Sequence, residues 1–454
     1  MTIMFAGLLP ESPFSLSELS DHNARALILY LGLLCLLLFS ATLFFPHSDG
    51  HLIGSDGRSY YSTLRSLVFD GDFDFTNEYE WVGFEPKPLT VTGLPENPFA
   101  IGMPLLWLPF FLAAHLLSLI LNGLGLGAAT NGLGPVYEAA VCMATIFYGG
   151  VAFLLTYRVL RHSFEPWPSL IAILAMWGGT AAIYYMVAEP SMSHGVTLFS
   201  VSVFLFLWYP IPSERSGRCW LALGASVGLV ALVRWQDGIL ILLPLAELTW
   251  RLARKQLAIR NFLAYAVILI AAALIVFSPQ FVMWARLYGT PLTIPQGQEF
   301  FNWLAPKPFQ TLFSTRHGLI TWHPLILIAL LGLVPLWRRD RALTLAIIFV
   351  FLAQLYLNSA VGRWWADDAF GGRRFTSLIP FLTFPLAALL ERVRQEKALS
   401  RALLVVIAVL IVSNMLGMVQ FVLQFVSRSE ALSVRELTVD RFLLPLQLLS
   451  MIWN

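Results

Sequence analysis

An all-α polytopic membrane protein is the fold class this sequence predicts, on three observations. Hydrophobic residues make up 57% of the 454-residue chain and charged residues only 12%, about half the charged share of a soluble domain. Runs at 26–45, 263–277 and 402–425 carry no charge, and stretches of roughly twenty such residues are what a hydrocarbon core of about 30 Å requires. Lysine and arginine then gather in short connections between apolar runs, the pattern that sets orientation in a membrane.

Other classes are excluded by the same composition. A net charge of +2 with no Lys/Arg block argues against nucleic acid as a partner. Cys35, Cys142 and Cys219 sit in or beside apolar segments without a CxxC pair, so they read as small buried hydrophobes rather than disulfide or metal ligands. The first apolar run starts too late and is too long for a cleaved signal peptide, and is expected to be a retained anchor.

Apolar segments fall near 25–45, 99–121, 135–157, 168–187, 194–210, 219–233, 239–252, 261–280, 323–337, 342–358, 375–391 and 402–425. The basic connections Arg158/Arg161, Arg215/Arg218, Arg251/Arg254/Lys255/Arg260, Arg338/Arg339/Arg341 and Arg392/Arg394/Lys397/Arg401 should face the cytoplasm. From Arg158 onward they alternate with acidic or mixed connections. Counting 99–121 as a crossing would invert every later basic loop, so this segment is expected not to cross. Pro98, Pro104 and Pro109 break regular helix there, and a re-entrant or surface-lying helix pair is tolerated where it packs on protein. The alternative is that 99–121 spans and a later, shorter segment does not. The preferred reading leaves about eleven crossings and one outer face built from 46–134, 187–194, 234–238, 281–322 and 359–374.

The unusual polar residues fall on that face. Asp56 lies just beyond the first apolar run, and Tyr60, Tyr61, Leu64, Leu67 and Val68 follow at the spacing of an amphipathic surface helix. Asp56 is expected either to act on a ligand or to cap that helix, a role Ser55 would fill equally well. Asp70, Asp72 and Asp74 read as a solvated turn; a calcium loop would need Glu where Trp81 stands. Glu189 and His194 share a tight turn, where they could ligate a metal, hold a phosphate or simply be solvated. Arg234 sits between two short apolar segments, sunk below the surface, with Asp237 as its internal partner or a lipid phosphate as its ligand. Arg316 and His317 come next, then Arg373 and Arg374 behind a pair of glycines at the start of a crossing, where a helix N-terminus would add to their attraction for an anion.

Taken in order, Asp56-Gly57-Arg58-Ser59-Tyr60-Tyr61 with Asp70-Gly71-Asp72, Asn97-Pro98, Glu189-Pro190, Arg234, Arg316-His317-Gly318-Leu319-Ile320-Thr321-Trp322 and Phe370-Gly371-Gly372-Arg373-Arg374-Phe375 resemble the GT-C superfamily. These integral-membrane glycosyltransferases include protein O-mannosyltransferases and the aminoarabinose transferases that modify lipid A. The resemblance covers most of the chain by layout and only some tens of residues by motif. It implies a GT-C-like bundle of about 11 to 13 transmembrane helices, one domain over 1–425, a long first outer loop at 46–134 carrying juxtamembrane helices, and a C-terminal outer segment at 426–454. Carried over residue by residue, Asp56 would be the general base on the acceptor hydroxyl, Glu189 would support the site or a metal, and Arg234 would hold the donor phosphate where relatives often have Lys. The first-loop acid stands alone rather than in an Asp-Asp or Asp-Glu pair, so metal dependence stays open.

The expected function is therefore transfer of a sugar from a polyprenyl-phosphate donor to an acceptor hydroxyl on a glycan, lipid or protein, with inversion. The base would be Asp56 and the phosphate-binding cations Arg234, Arg316, Arg373 and Arg374. Glu189, His194, Tyr60, Asn97, His317 and Asp237 would support the site. No cofactor is required by this chemistry; the alternative is a divalent metal, magnesium or manganese, on Asp56, Glu189 and His194. A bacterial cytoplasmic membrane, with the site on the periplasmic or extracellular side, is the expected location. Two rivals remain open: a transporter or flippase of a lipid-linked or anionic substrate, although no internal repeat is visible, and a polymerase or ligase of lipid-linked glycans.

Overall fold

The computed structural model describes residues 20–43 and 50–453. Its elements follow the apolar runs closely. Helix α1 (Asp21–Thr42) starts at Ser20, whose hydroxyl accepts the Asn23 N–H at 3.2 Å and satisfies one of the orphan donors of the first turn. The first outer loop then holds α2 (Asp56–Arg65), which runs on into a π turn at Ser66–Asp70, and α3 (Thr76–Trp81). Next come α4 (Gly102–Gly123), α5 (Pro135–Leu160), α6 (Pro166–Gly178), α7 (Tyr184–Val187), α8 (His194–Trp208) and α9 (Gly217–Val233). A 3-10 turn at Trp235–Ile241 leads into α10 (Leu242–Ala253) and the long α11 (Ile259–Tyr288).

The C-terminal half holds α12 (Pro308–Phe313), α13 (Leu319–Trp322), α14 (Leu325–Leu331), α15 (Leu333–Arg339) and α16 (Arg341–Ala360), the last capped by Asp340 on the Leu343 N–H. A second 3-10 turn, Arg373–Leu378, opens α17 (Ile379–Val393), followed by α18 (Lys397–Val422), α19 (Val434–Leu437) and α20 (Val439–Trp453). Among the described residues seven helical stretches are long and apolar enough to cross a membrane. Several shorter ones are broken by loops or glycines and pack inside the bundle. The seam between α9 and α11 shows why small residues matter here. A Cβ at Gly224 would lie 2.2 Å from the Leu269 carbonyl oxygen, so only glycine lets the two backbones approach.

The basic connections meet at one end. Arg161 binds Asp21 at 2.5 Å, Arg339 pairs with Glu391 and stacks over Phe164, Arg394 lies over Trp167, and the Tyr209 hydroxyl donates to Asp340 at 3.2 Å. The other end collects the polar loops. There the Gly54 N–H meets the Ser191 hydroxyl at 3.1 Å, Thr92 donates to the Leu287 carbonyl at 2.7 Å, and Phe301 bridges Val361. The charge asymmetry of the sequence is thus a real polarity of the molecule.

Segment 99–121, expected not to cross, is among the helices long and apolar enough to do so. It is one continuous helix, α4, not a broken pair. Pro104 sits in its first turn, where the missing N–H costs nothing, and Pro109 is absorbed inside. Yet Trp107 meets Thr145 (2.9 Å) and His115 meets Tyr137 (2.7 Å), so α4 runs antiparallel to α5. Helix α1 is antiparallel to α5 as well, since Asp21 meets Arg161 and Gly32 faces Gly150. Helices α1 and α4 therefore point the same way. After α1 has delivered the chain to the polar end, α4 cannot return it to the basic end. Helix α2 also differs: its residues from Ser59 to Arg65 are buried, so it is wedged into the protein rather than laid on a surface.

A cysteine-labelling experiment checks this layout. With Cys219 replaced, Asn122→Cys and Asp74→Cys are expected to react with a membrane-impermeant maleimide from the same side. Cysteines placed at Arg254 and Arg392 should react only after permeabilisation; protection of position 122 until then would reject the layout.

Candidate active site

The loop at 54–57 is bolted to the turn at 189–193. Besides the Gly54–Ser191 hydrogen bond, Gly57 presses directly on that turn: a Cβ there would lie 2.3 Å from Ser191 Oγ and 2.7 Å from its carbonyl oxygen. Ser55 takes a positive φ of 47° to make the bend and forms no side-chain cap. Asp56 is thereby the first residue of α2. Its carboxylate is free of capping duty and sits where a helix N-terminus favours a negative charge. Of the two roles open to Asp56, the cap is the one the structure discards.

That carboxylate faces a guanidinium from far along the chain. Arg373 Nη2 lies 3.4 Å from Asp56 Oδ2, with the Asp56 side chain 29% exposed and Arg373 12%. Arg373 also bonds the Tyr185 hydroxyl, which accepts the Phe370 N–H at 3.1 Å. Arg234, Arg373 and Arg374 lie within range of one another's charge. Arg234 reaches the Arg374 carbonyl at 3.3 Å, and Arg374 reaches that of Arg363 at 2.8 Å. Among the described residues neither Arg234 nor Arg374 has a carboxylate within ion-pair distance, so Asp56 is the one ion-paired acid of the cluster.

Asp237 feels the charge of Arg234 but forms no direct ion pair with it. Buried to 1% exposure, it accepts from Gln354 at 2.7 Å and Ser377 at 3.2 Å through Oδ1, while Oδ2 has no hydrogen bond. Glu189 approaches the Asp56 loop from the other side, 3.9 Å from where a Gly54 Cβ would stand. Burial pushes its pKa upward, opposed by the charges of Arg373 and Arg428. Glu189 therefore keeps its proton to higher pH than a free carboxylate, and in that form it can donate a hydrogen bond.

The remaining candidates divide into those near the cluster and those behind it. Tyr60 hydrogen-bonds Ser193 within reach of the charges of Asp56, Arg234 and Arg373; burial lifts its phenol to about 12. His194 is buried, its Nδ1 3.0 Å from the Thr376 hydroxyl and its ring 4.1 Å from that of Tyr185. Arg316 lies over Trp365, 4.4 Å from the ring centre, and has a buried, unpartnered Nε. His317, at φ 60°, binds the Trp365 carbonyl at 2.9 Å, and burial lowers its imidazole pKa. Asn97 is a clamp: fully buried, it donates to the Ser59 carbonyl (3.1 Å) and to Thr63 (2.9 Å), holding α2 from behind. Asp70, Asp72 and Asp74 serve Arg65, Ser66 and Thr76 and form the expected turn.

The sequence offered Asp56, Glu189 and His194 as an alternative metal set, beside a reaction that requires no cofactor. Among the described residues no three His, Cys, Asp or Glu side chains converge. Asp56 faces a guanidinium and His194 is engaged by Thr376, so Asp56, Glu189 and His194 do not fit a divalent ion.

Sequence reading missed Tyr185, which braces Arg373, Ser191 and Ser193, which seat the first loop, and Arg428. The last belongs to the segment after α18. Val426, Leu432 and Leu437 pack there on Tyr184, Tyr185, Trp322 and Phe370, and the Arg441 guanidinium lies over Trp322. The C-terminal segment is thus part of the floor of the site. Nothing in its composition announced this, since Arg428 stands in an ordinary polar stretch between Ser427 and Ser429.

Packing at Gly57 gives a direct check. Gly57→Ala is expected to cost about 1–3 kcal/mol, the usual penalty for overfilling a packed contact, read as a lower thermal midpoint in detergent. Gly123→Ala, where a Cβ meets nothing within 4 Å, should leave the midpoint unchanged.

No protein-family model and no curated protein matches this chain. Solved structures do. ArnT from Cupriavidus metallidurans bound to undecaprenyl phosphate matches 93% of this chain and 75% of its own, with a TM-score of 0.50 and 14% identity. The archaeal oligosaccharyltransferase AglB from Archaeoglobus fulgidus, in complex with an inhibitory peptide and a dolichol-phosphate, matches 90% of this chain with a TM-score of 0.53 and 14% identity. This chain spans 57% of that longer protein. At such identity the likeness is one of architecture: the chain shares the fold of ArnT and AglB, and among its described residues it has seven helical stretches long and apolar enough to cross a membrane.

Proposed function

We propose that this protein transfers a sugar from a polyprenyl-phosphate carrier to an acceptor hydroxyl, at the end of the molecule opposite its basic connections. The observation that carries the reading is the meeting of Asp56 with Arg373 beside Arg234 and Arg374. One partly open carboxylate stands among three arginines and is ion-paired with one of them, an arrangement that suits an anionic group. The fold relatives add support: one is described with undecaprenyl phosphate and another with a dolichol-phosphate.

The chemistry divides between the two kinds of group. The acceptor oxygen forms a bond to the anomeric carbon as the bond from that carbon to the phosphate oxygen breaks. The bonding pair leaves with the phosphate, and the acceptor proton passes to Asp56. Arg373 and Arg234 stabilise the charge gathering on the departing phosphate, with Arg374 behind them. Guanidinium suits this task because its fork matches two phosphate oxygens at once. Displacement in one step, with a single carboxylate as base, inverts the anomeric centre. When donor phosphate enters, Arg373 is drawn from Asp56 toward it, which frees the base only in the loaded site. Glu189, Tyr60 and His317 line the approach, and the role of each is positional. The acceptor is a glycan, lipid or protein hydroxyl on the periplasmic or extracellular side of a bacterial cytoplasmic membrane.

Asp56→Asn is expected to lower transfer about 10²–10⁴-fold, the usual share of a general base, while binding of a polyprenyl-phosphate sugar persists. Arg234→Ala should instead weaken donor binding. The assay is transfer of radiolabel from polyprenyl-phosphate sugars into membrane extracts by the purified protein; an active Asp56→Asn variant would exclude this base. Because the acid and imidazole groups do not converge on a metal, transfer is expected to survive a chelator such as EDTA. Loss of transfer with recovery on added magnesium or manganese would overturn the metal-free step.

A further inference from the structure

A large cavity lies at the opposite end of the molecule from Asp56, and the proposed transfer does not use it. It encloses about 1260 Å³ between the loop 209–214, helix α10 and the start of α16. Typical small-molecule pockets span about 300–1,000 Å³, so the chamber has room for a bulky amphiphile. Leu242, Ala246, Leu345 and Phe349 supply apolar wall. Leu242 and Leu345 are 43% and 54% exposed, so this wall continues onto the outer flank of the bundle, where hydrocarbon would lie.

The inner wall is polar and incompletely bonded. Glu247 is buried and takes both of its cations on one oxygen: Arg215 Nε at 2.9 Å and Arg251 Nε at 3.0 Å meet Oε1. Its second oxygen, Oε2, is buried with no partner, and so is the indole Nε1 of Trp208 in the same wall. A buried acceptor without a donor and a buried donor without an acceptor are each unfavourable unless something completes them. The charges also balance. Glu214, Glu247 and Asp340 stand against Arg251 and Arg341 in the lining, with Arg215 directly behind. A purely anionic head group gains little from a balanced wall, whereas one carrying both signs can meet both.

From this geometry we infer that the chamber is a binding site for a zwitterionic aminophospholipid of the leaflet on the basic side. Its ammonium lies toward Glu247 and Glu214, its phosphate toward Arg341 and the Trp208 N–H, and its acyl chains run along Leu242, Leu345 and Phe349. The site is separate from the sugar-transfer centre and does not depend on it. A polyprenyl phosphate is the poorer occupant, because it brings a negative charge and no donor for the bare Glu247 oxygen.

Native mass spectrometry of the full chain in mild detergent tests the inference, with phosphatidylethanolamine, phosphatidylglycerol and undecaprenyl phosphate titrated separately. The wild-type protein is expected to retain one phosphatidylethanolamine at least tenfold more tightly than phosphatidylglycerol. Ala246→Trp, which fills the chamber, should abolish that retention, and Leu345→Trp gives the same reading should the first variant fail to fold. Arg341→Gln should weaken it several-fold. Equal retention of the two phospholipids, preferential retention of undecaprenyl phosphate, or undiminished phosphatidylethanolamine on both tryptophan variants would each overturn the assignment. Sugar transfer is read separately, so its outcome leaves this test untouched.

Discussion

The ion pair between Asp56 and Arg373 is the contact on which the organisation of the polar end depends. It joins the first loop of the chain to the start of a late apolar segment, with the intervening helices packed between them. Neither group could rest there alone. A carboxylate or guanidinium at the edge of hydrocarbon is unfavourable without a counter-charge, and each supplies the other's. Their separation of 3.4 Å is looser than a tight charged hydrogen bond of about 2.7–2.9 Å, and the acid keeps part of its surface open. The pair is therefore strong enough to organise the site and loose enough to be exchanged for a ligand.

Around this pair the protein spends its hydrogen-bonding groups on holding things still. Asn97 pins α2 from behind, Gly57 and Ser191 lock its first turn, and Tyr185 braces Arg373 through a hydroxyl already engaged by the Phe370 N–H. The C-terminal segment closes the underside with Val426, Leu432 and Leu437. These contacts come from elements scattered along the chain, and each acts on a side chain that faces the charge cluster. Preorganisation of this kind matters because a reaction governed by charge movement gains most from dipoles and cations that need not rearrange.

The two ends of the molecule solve opposite electrostatic problems. At the basic end Arg161, Arg215 and Arg339 are paired with Asp21, Glu247 and Glu391, and the guanidinium groups of Arg339, Arg394 and Arg215 lie over Phe164, Trp167 and Trp220. At the polar end the hydrogen bonds of Arg234 and Arg374 go to carbonyl oxygens, and among the described residues neither forms an ion pair. What sets the polar end apart is that Arg234, Arg373 and Arg374 lie close together with Asp56 as the one ion-paired acid among them.

Much of this was legible in the residues alone. Long uncharged runs need no partner sequence to be read as helices in lipid, because an unpaired backbone cannot persist there. Alternation of basic loops likewise predicted that Asp56, Glu189, Arg234 and Arg373 share one face, and the structure gathers these residues. What sequence could not decide was pairing. Asp237 lies three residues from Arg234 and looked like its counter-ion, yet it turned inward to Gln354 and Ser377. Asp56 found its partner in Arg373 instead, and His194 went to Thr376 rather than to a metal. Apolar periodicity and charge bias are local and survive in any packing, so the chain alone determines a membrane bundle with a polar end. Which acid meets which cation depends on how helices remote in the chain rotate and cross, and only the tertiary structure decides that.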